Sequence, residues 1–222
     1  MKKALVVLSG GQDSTTCLYW ALDRFGVDAV ESVTFDYGQR HRVELACAAT
    51  VAKFAGVANR CLPIDTFAAL GGDALTDPEL DVASDVDSST GLPNTFVPGR
   101  NLIFLTYAAA YAYQHDIGHL VTGVAQTDYS GYPDCRQETI DALQTALRLG
   151  MESDVTIHTP LRHLSKKETV ELACDLGALP AMAYTHTCYN GQRPPCGTCP
   201  ACVLRAKGFA EAGVADPLLA AP

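Results

Sequence analysis

Residues 9–15 read Ser-Gly-Gly-Gln-Asp-Ser-Thr and follow directly on the apolar run Ala4-Leu5-Val6-Val7-Leu8. A buried strand, a glycine turn and a helix N-terminus in that order form a cradle for phosphate. Gly10 and Gly11 let backbone N–H groups approach an anion closely. The first helical turn adds unpaired donors and a partial positive charge, and Ser9, Ser14 and Thr15 add hydroxyls. A Walker loop would carry Gly-Lys-Ser/Thr, its lysine reaching the outer phosphates. Here Asp13-Ser14-Thr15 stands in that place. The loop is therefore expected to hold pyrophosphate for chemistry other than γ-phosphoryl transfer. A dinucleotide fingerprint is a poor match, since Gly-x-Gly-x-x-Gly is absent.

The second constellation is Cys188-x7-Cys196-x2-Cys199-x2-Cys202, with Gly191, Pro194, Pro195 and Gly197 between the ligand candidates. Four thiolates in fifteen residues, separated by tight turns, suit a tetrahedral zinc with no open position and hence a structural role. An iron–sulfur cluster is the competing reading, because four-cysteine ligation serves both. The chain has nine cysteines in all. Cys17, Cys47, Cys61, Cys135 and Cys174 are scattered, and in a reducing compartment the cluster reads as a metal site before it reads as disulfides.

Three further loops carry candidates. Asp36-Tyr37-Gly38-Gln39-Arg40-His41-Arg42 places two arginines and a histidine beside a strand tip, where they could face phosphate; His41 taken alone reads as part of a solvated helix start. Asn94–Asn101 sets the guanidinium of Arg100 just ahead of an apolar helix, for a phosphate or for a nearby acid. The segment Thr122–Arg136 combines Asp128, Tyr129, Tyr132, Asp134 and Arg136. Carboxylates there could accept the paired N–H donors on the edge of a guanine-like base, and tyrosines offer stacking faces. Lys166 lies in the first turn of a helix near another strand end.

The elements that must position these groups alternate along the chain. Apolar strands are expected at Lys3–Leu8, Ala29–Phe35, Asn59–Ile64, His119–Val124 and Val155–His158. Helices are expected at Asp13–Phe25, Val43–Phe54, Asn101–His115, Arg136–Leu149 and from Ser165, whose Ser-x-x-Glu spacing is a capping box, to Leu176. This order implies an α/β domain with an open, mainly parallel sheet and helices on both faces, and ligands at the carboxyl ends of its strands. Residues 1–180 are expected to form the nucleotide-binding domain, with 65–93 as an acidic surface excursion. Residues 181–222 are expected to form a small helical, zinc-binding segment.

A length of 222 residues with 48% apolar content is enough for a sizeable core. A net charge of −9 disfavours a broad nucleic-acid or membrane surface. Met1-Lys2-Lys3 precedes only five apolar residues before polar Ser9-Gly10-Gly11, too short a run and wrongly flanked for a signal peptide, and no run approaches a membrane span. A soluble cytoplasmic protein without stable nucleic-acid partners is the expectation.

The loop Ser9–Thr15 resembles the signature of the PP-loop ATP pyrophosphatases. Taken with Phe35–Arg42, Asn94–Asn101, Thr122-Gly123-Val124, Gly131–Arg136 and the cysteine cluster, the resemblance narrows to the 7-cyano-7-deazaguanine synthase family of queuosine biosynthesis, from Lys2 to about Phe209. It implies an adenine nucleotide alpha hydrolase-like, Rossmann-like fold and a homodimer. It also implies ATP on Leu8, Ser9, Gly10, Gly11, Gln12, Asp13, Ser14, Thr15, Thr16, Cys17 and Leu18. Asp13, Arg100 and Lys166 are then phosphate or catalytic candidates, with Asp13 placed to hold magnesium. The implied reaction converts 7-carboxy-7-deazaguanine and ammonia to the nitrile. The substrate carboxylate attacks the α-phosphate, ammonia displaces AMP, and a second adenylation removes the amide oxygen. Two other readings differ in class. A tRNA-modifying thiolase or ligase of the same fold would show tight tRNA binding; a non-enzymatic nucleic-acid module would lack ATP binding.

Overall fold

Among the described residues five parallel strands form one sheet: β1 (Ala4–Val7), β2 (Val30–Asp36), β3 (Ala58–Pro63), β4 (His119–Val121) and β5 (Thr156–His158), in the order β3-β2-β1-β4-β5. The computed structural model describes residues 3–77, 79–82, 90–125 and 132–220. The pairing is parallel throughout, with Ala4 opposite Val30 on one side and His119 on the other. The central strand is apolar at successive positions because both of its faces are covered. Ala4, Val6 and Leu8 pack on α1 (Gln12–Phe25) and α2 (Val43–Phe54) through Leu18, Ala21, Ala48 and Val51. Leu5 points the other way, toward Ala108 and Ala112 of α4 (Arg100–Gln114) and Leu147 of α5 (Gln137–Met151).

The strand order reverses between β1 and β4. That crevice, beyond the carboxyl ends of the strands, is where a doubly wound sheet receives its ligand. The chain leaves β4 after Val121, three residues earlier than the apolar run implies, and Thr122 N still donates to His158 O at 3.0 Å. Thr122–Ala125 are thereby free to line the crevice rather than extend the sheet.

Residues 65–93 are not simply a surface excursion. Thr66–Leu70 form a short helix, α3, and Phe67 and Leu75 are 2% and 1% exposed in the same core as Val33 and Phe35. Asp73, one of the acids of this stretch, is buried and accepts from the backbone N–H of Leu75 and Thr76 at 2.9 Å, closing a turn. Sparse apolar residues without a period hid this segment's contribution to the core.

At the C-terminal end, α6 (Lys166–Asp175) packs against α7 (Pro200–Ala212), which is followed by the short α8 (Pro217–Ala220). The capping box at Ser165 and Glu168 is present in full. Arg205 of α7 is 4% exposed and forked onto Asp216 at 2.6 and 2.8 Å. It also donates to Thr185 and Thr187, so α7 is bound to the chain that enters the cysteine cluster. No described helix is long and apolar enough to cross a membrane.

Candidate active site and cysteine centre

The Ser9–Thr15 loop is shaped by what lies behind it. Gly10 has φ +89°, and a Cβ there would collide with Glu44 O and lie 2.7 Å from Ala48 N. Only glycine lets the loop lie against the first turns of α2. On the other side, a Cβ on Gly123 would come within 3.1 Å of Ser14 N, so the exit from β4 presses on the start of α1. Ser9 and Ser14 hydroxyls pair at 3.1 Å, and Ser14 and Thr15 hydroxyls donate to Gly11 O. Gly11 is the N-cap of α1 and makes no side-chain cap hydrogen bond.

The lysine that the loop lacks in sequence arrives from elsewhere in the chain. Lys166, in the first turn of α6, places Nζ 2.6 Å from Asp13 Oδ2. α7 presses on it from behind, since a Cβ on Gly208 would lie 2.9 Å from Lys166 Cβ. Two buried atoms of the loop, Gln12 Nε2 and Asp13 Oδ1, have no hydrogen-bond partner among the described residues. One is a donor and the other an acceptor, so this wall offers one contact to an anion and one to a cation.

Two chambers meet at the loop. The first, of about 180 Å³, is lined by Ser9, Gly11, Gln12, Asp13 and Ser14, faced by Lys166, His186, Thr187 and Arg205. The second, of about 260 Å³, runs under β1, β2 and β4 and is lined by Phe35, Tyr37, Arg100, Phe104, Gly123, Tyr132 and Tyr189. Ser9, Asp13, Ser14, His41, Glu44 and Tyr189 belong to both. In the second chamber Arg100 donates to the Tyr37 hydroxyl at 3.2 Å and lies over its ring. Burial raises the Tyr37, Tyr132 and Tyr189 hydroxyls above the ordinary phenol range, so all three remain protonated donors. A flat polar ring with an anionic substituent fits this set of aromatic faces, hydroxyls and one guanidinium.

Not every residue singled out from sequence reaches the crevice. Ser9, Gly11, Gln12, Asp13, Ser14, Lys166, Arg100 and Tyr132 do, with Leu8 at the edge of the second chamber. Thr15, Thr16, Cys17 and Leu18 are buried in α1 and line neither chamber; Cys17 packs in the core, and burial pushes its thiol well up. Asp134 is 4% exposed, and its Oδ2 accepts from Asn101 N at 2.9 Å, fixing the start of α4. Arg136 is exposed at the N-cap of α5 and lines neither chamber. Asp128 and Tyr129 lie outside the described residues. Arg40 is engaged with Ala74 O and Leu80 O, and Arg42 with both oxygens of Asp36, so neither faces phosphate.

His41 corrects the sequence reading in the other direction. It is not solvated but 5% exposed, in the wall between the chambers. Glu44, His186 and Tyr189 were not singled out at all. The Thr-His-Thr run just before Cys188 was the available signal for His186.

The four clustered cysteines converge as expected, with all Sγ atoms within 4.8 Å of one another. Tetrahedral ligation at the usual Zn–S length needs edges of about 3.8 Å, and Cys196 Sγ lies 3.9 Å from Cys202 Sγ. The backbone N–H of Cys196 points at Cys188 Sγ and that of Cys199 at Cys196 Sγ. Such donors favour thiolate over thiol. Burial acts to raise the Cys196 thiol, but hydrogen bonds from the Cys199 and Thr198 backbone and from the Thr198 and Cys188 side chains together bring it to about 5, while burial raises Cys199 and Cys202. Cys199 is the N-cap of α7, so the cluster is joined directly to the helix behind Lys166.

Known proteins match the chain along almost its whole length. The family described as "Queuosine biosynthesis protein QueC" matches residues 3–213. A Chromobacterium violaceum protein named 7-cyano-7-deazaguanine synthase is 69% identical over 98% of this chain and 93% of its own. Proteins of the same name from Laribacter hongkongensis and Staphylococcus saprophyticus are 65% and 50% identical, over 97% and 96% of this chain and 93% and 96% of theirs. Matched by the family over residues 3–213 and by such relatives end to end, this chain belongs to the queuosine biosynthesis protein QueC family.

Proposed function

We propose that this chain is a ligase that converts 7-carboxy-7-deazaguanine, ammonia and ATP to 7-cyano-7-deazaguanine through adenylated intermediates. The observation that carries the reading is the pair of chambers joined at the Ser9–Thr15 loop. One has an anion cradle with Lys166, Asp13 and an unpartnered Gln12 amide; the other is aromatic with a single guanidinium.

In this reading the first chamber holds the pyrophosphate of ATP. Backbone N–H groups of the loop, the hydroxyls of Ser9 and Ser14, Gln12 Nε2 and Lys166 stabilise the charge that grows on the leaving group. The magnesium that accompanies ATP would be held by Asp13, whose Oδ1 is unpartnered. The second chamber holds the deazaguanine, with Arg100 holding the carboxylate and Tyr132 the ring. Asp128 and Tyr129 remain proposed contacts for the base, whereas Arg136 stands outside both chambers at the N-cap of α5 and Asp134 acts by fixing α4. No covalent nucleophile is required, in keeping with the buried, raised thiol of Cys17.

The cysteine centre is assigned a structural zinc, and residues 181–222 a supporting role for the nucleotide domain 1–180. We place the enzyme in the cytoplasm; its net charge of −9 supports action on small molecules without a stable nucleic-acid partner, and a homodimer follows from the resemblance. The test is incubation of the pure protein with the carboxy-deazaguanine, ammonia, ATP and magnesium. The nitrile and AMP should both appear, and absence of both removes the proposal.

A further inference from the structure

His41 and Glu44 stand in the wall between the two chambers and have no part in the cradle chemistry. His41 Nε2 lies 3.3 Å from Glu44 Oε2. The other Glu44 oxygen accepts from Gln39 Nε2 at 2.9 Å, and the Gln39 amide is itself fixed by Tyr37 N and Phe35 O. A carboxylate against Nε2 puts the ring proton there and leaves the lone pair on Nδ1. That Nδ1 is buried and has no hydrogen-bond partner among the described residues. An unpaired buried acceptor is unfavourable, and functional sites are where such groups persist. The titratable groups around it are Glu44 of its own segment, Asp13 and Lys166 across the first chamber, Arg100 across the second, and His186 and Tyr189 from the chain before the cysteines. His186 is not an alternative acceptor, because its Nε2 is already engaged with Cys188 O at 2.8 Å.

The ligase proposed above, on which this inference rests, needs such an acceptor. Ammonia attacks the acyl carbon of the adenylate. A C–N bond forms, the C–O bond to AMP breaks, and AMP leaves with the electron pair. The nitrogen must then shed one proton. We infer that this proton passes to His41 Nδ1, with Glu44 as the positioning residue that fixes the tautomer and stabilises the imidazolium until it releases the proton to solvent.

The experiment separates the two halves of the reaction. Substrate-dependent exchange of pyrophosphate into ATP, without ammonia, reports adenylation; ammonia-dependent product reports the second half. His41→Gln keeps a donor toward Glu44 and removes the base. Its exchange should stay within about twofold of the parent, while ammonia-dependent product falls roughly 10²–10³-fold. Glu44→Gln should lower ammonia-dependent product while exchange stays within about twofold of the parent, and Glu44→Asp should restore part of the loss, because a carboxylate sets the His41 tautomer. Product within twofold of the parent in His41→Gln, or exchange lost along with product, overturns the inference. If His41→Gln does not fold, ammonia-dependent product within twofold of the parent in Glu44→Gln overturns it. A parent without exchange overturns the ligase reading itself, and the inference with it.

Discussion

Lys166 Nζ lies 2.6 Å from Asp13 Oδ2 although the two residues are 153 positions apart. The fold therefore supplies a lysine to a glycine loop whose own sequence has none. If both groups serve the leaving pyrophosphate, Lys166→Met should lower ATP-dependent turnover roughly 10²–10³-fold, the usual effect of losing one donor to developing charge. Asp13→Ala should abolish ATP cleavage. Circular dichroism should show both variants folded, and retained turnover in Asp13→Ala would take that residue out of the mechanism.

Gly208 holds Lys166 in place by what it lacks. A Cβ there would lie 2.9 Å from Lys166 Cβ and 3.0 Å from Lys166 O, so Gly208→Ala must push α6 and α7 apart. A loss of about 1–3 kcal/mol in urea unfolding is expected, together with reduced turnover. Gly118→Ala has nothing within 4 Å of the new carbon and should leave turnover unchanged. A Gly208→Ala variant as active and stable as the parent would show that α7 does not position Lys166.

The cysteine centre should behave as a folding element. Cys199→Ser is expected to lose the bound metal and about 2 kcal/mol of stability, or roughly 4–8 °C in melting temperature for a chain of this size. Cys61→Ser, at an exposed and unclustered thiol, should change neither. Elemental analysis beside thermal unfolding checks both, and it also separates zinc from iron. Unchanged melting of metal-free Cys199→Ser would refute a structural role.

Acid should weaken the fold through the far edge of the sheet. His158 packs on Trp20 and Phe25, and its Nε2 lies 3.0 Å from His119 Nδ1. Burial, then His119, then Arg24 lower it from 6.5 to about 4. The unfolded chain therefore binds more protons than the folded one between those values. Stability from this site is present above about pH 6.5 and is lost as the pH falls toward 4. His158→Gln should flatten the decline in melting temperature over that window; an identical decline in parent and variant would exclude His158 as its cause.

Local pattern made much of this legible. Apolar strands alternating with helices gave the parallel sheet, Ser165 and Glu168 marked the start of α6, and cysteine spacing marked the four-thiol cluster. What stayed hidden depends on tertiary contact. Phe67 and Leu75 enter the core from a segment without a period. Asp134 looked free for a base but is held by the backbone of α4. His41 looked solvated because the three-dimensional neighbours that bury it, such as Tyr189, come from the opposite end of the chain. The Lys166–Asp13 pairing likewise follows from the sheet order, which no local pattern records.

The most direct test of the central claim is the identity of the nucleotide product. With the carboxy-deazaguanine, ammonia, ATP and magnesium, chromatography should show AMP and pyrophosphate rising together with the nitrile. That result is expected if the Ser9–Thr15 cradle grips pyrophosphate as the leaving group. ADP and inorganic phosphate without AMP would place the cleavage at the γ-phosphate and contradict it.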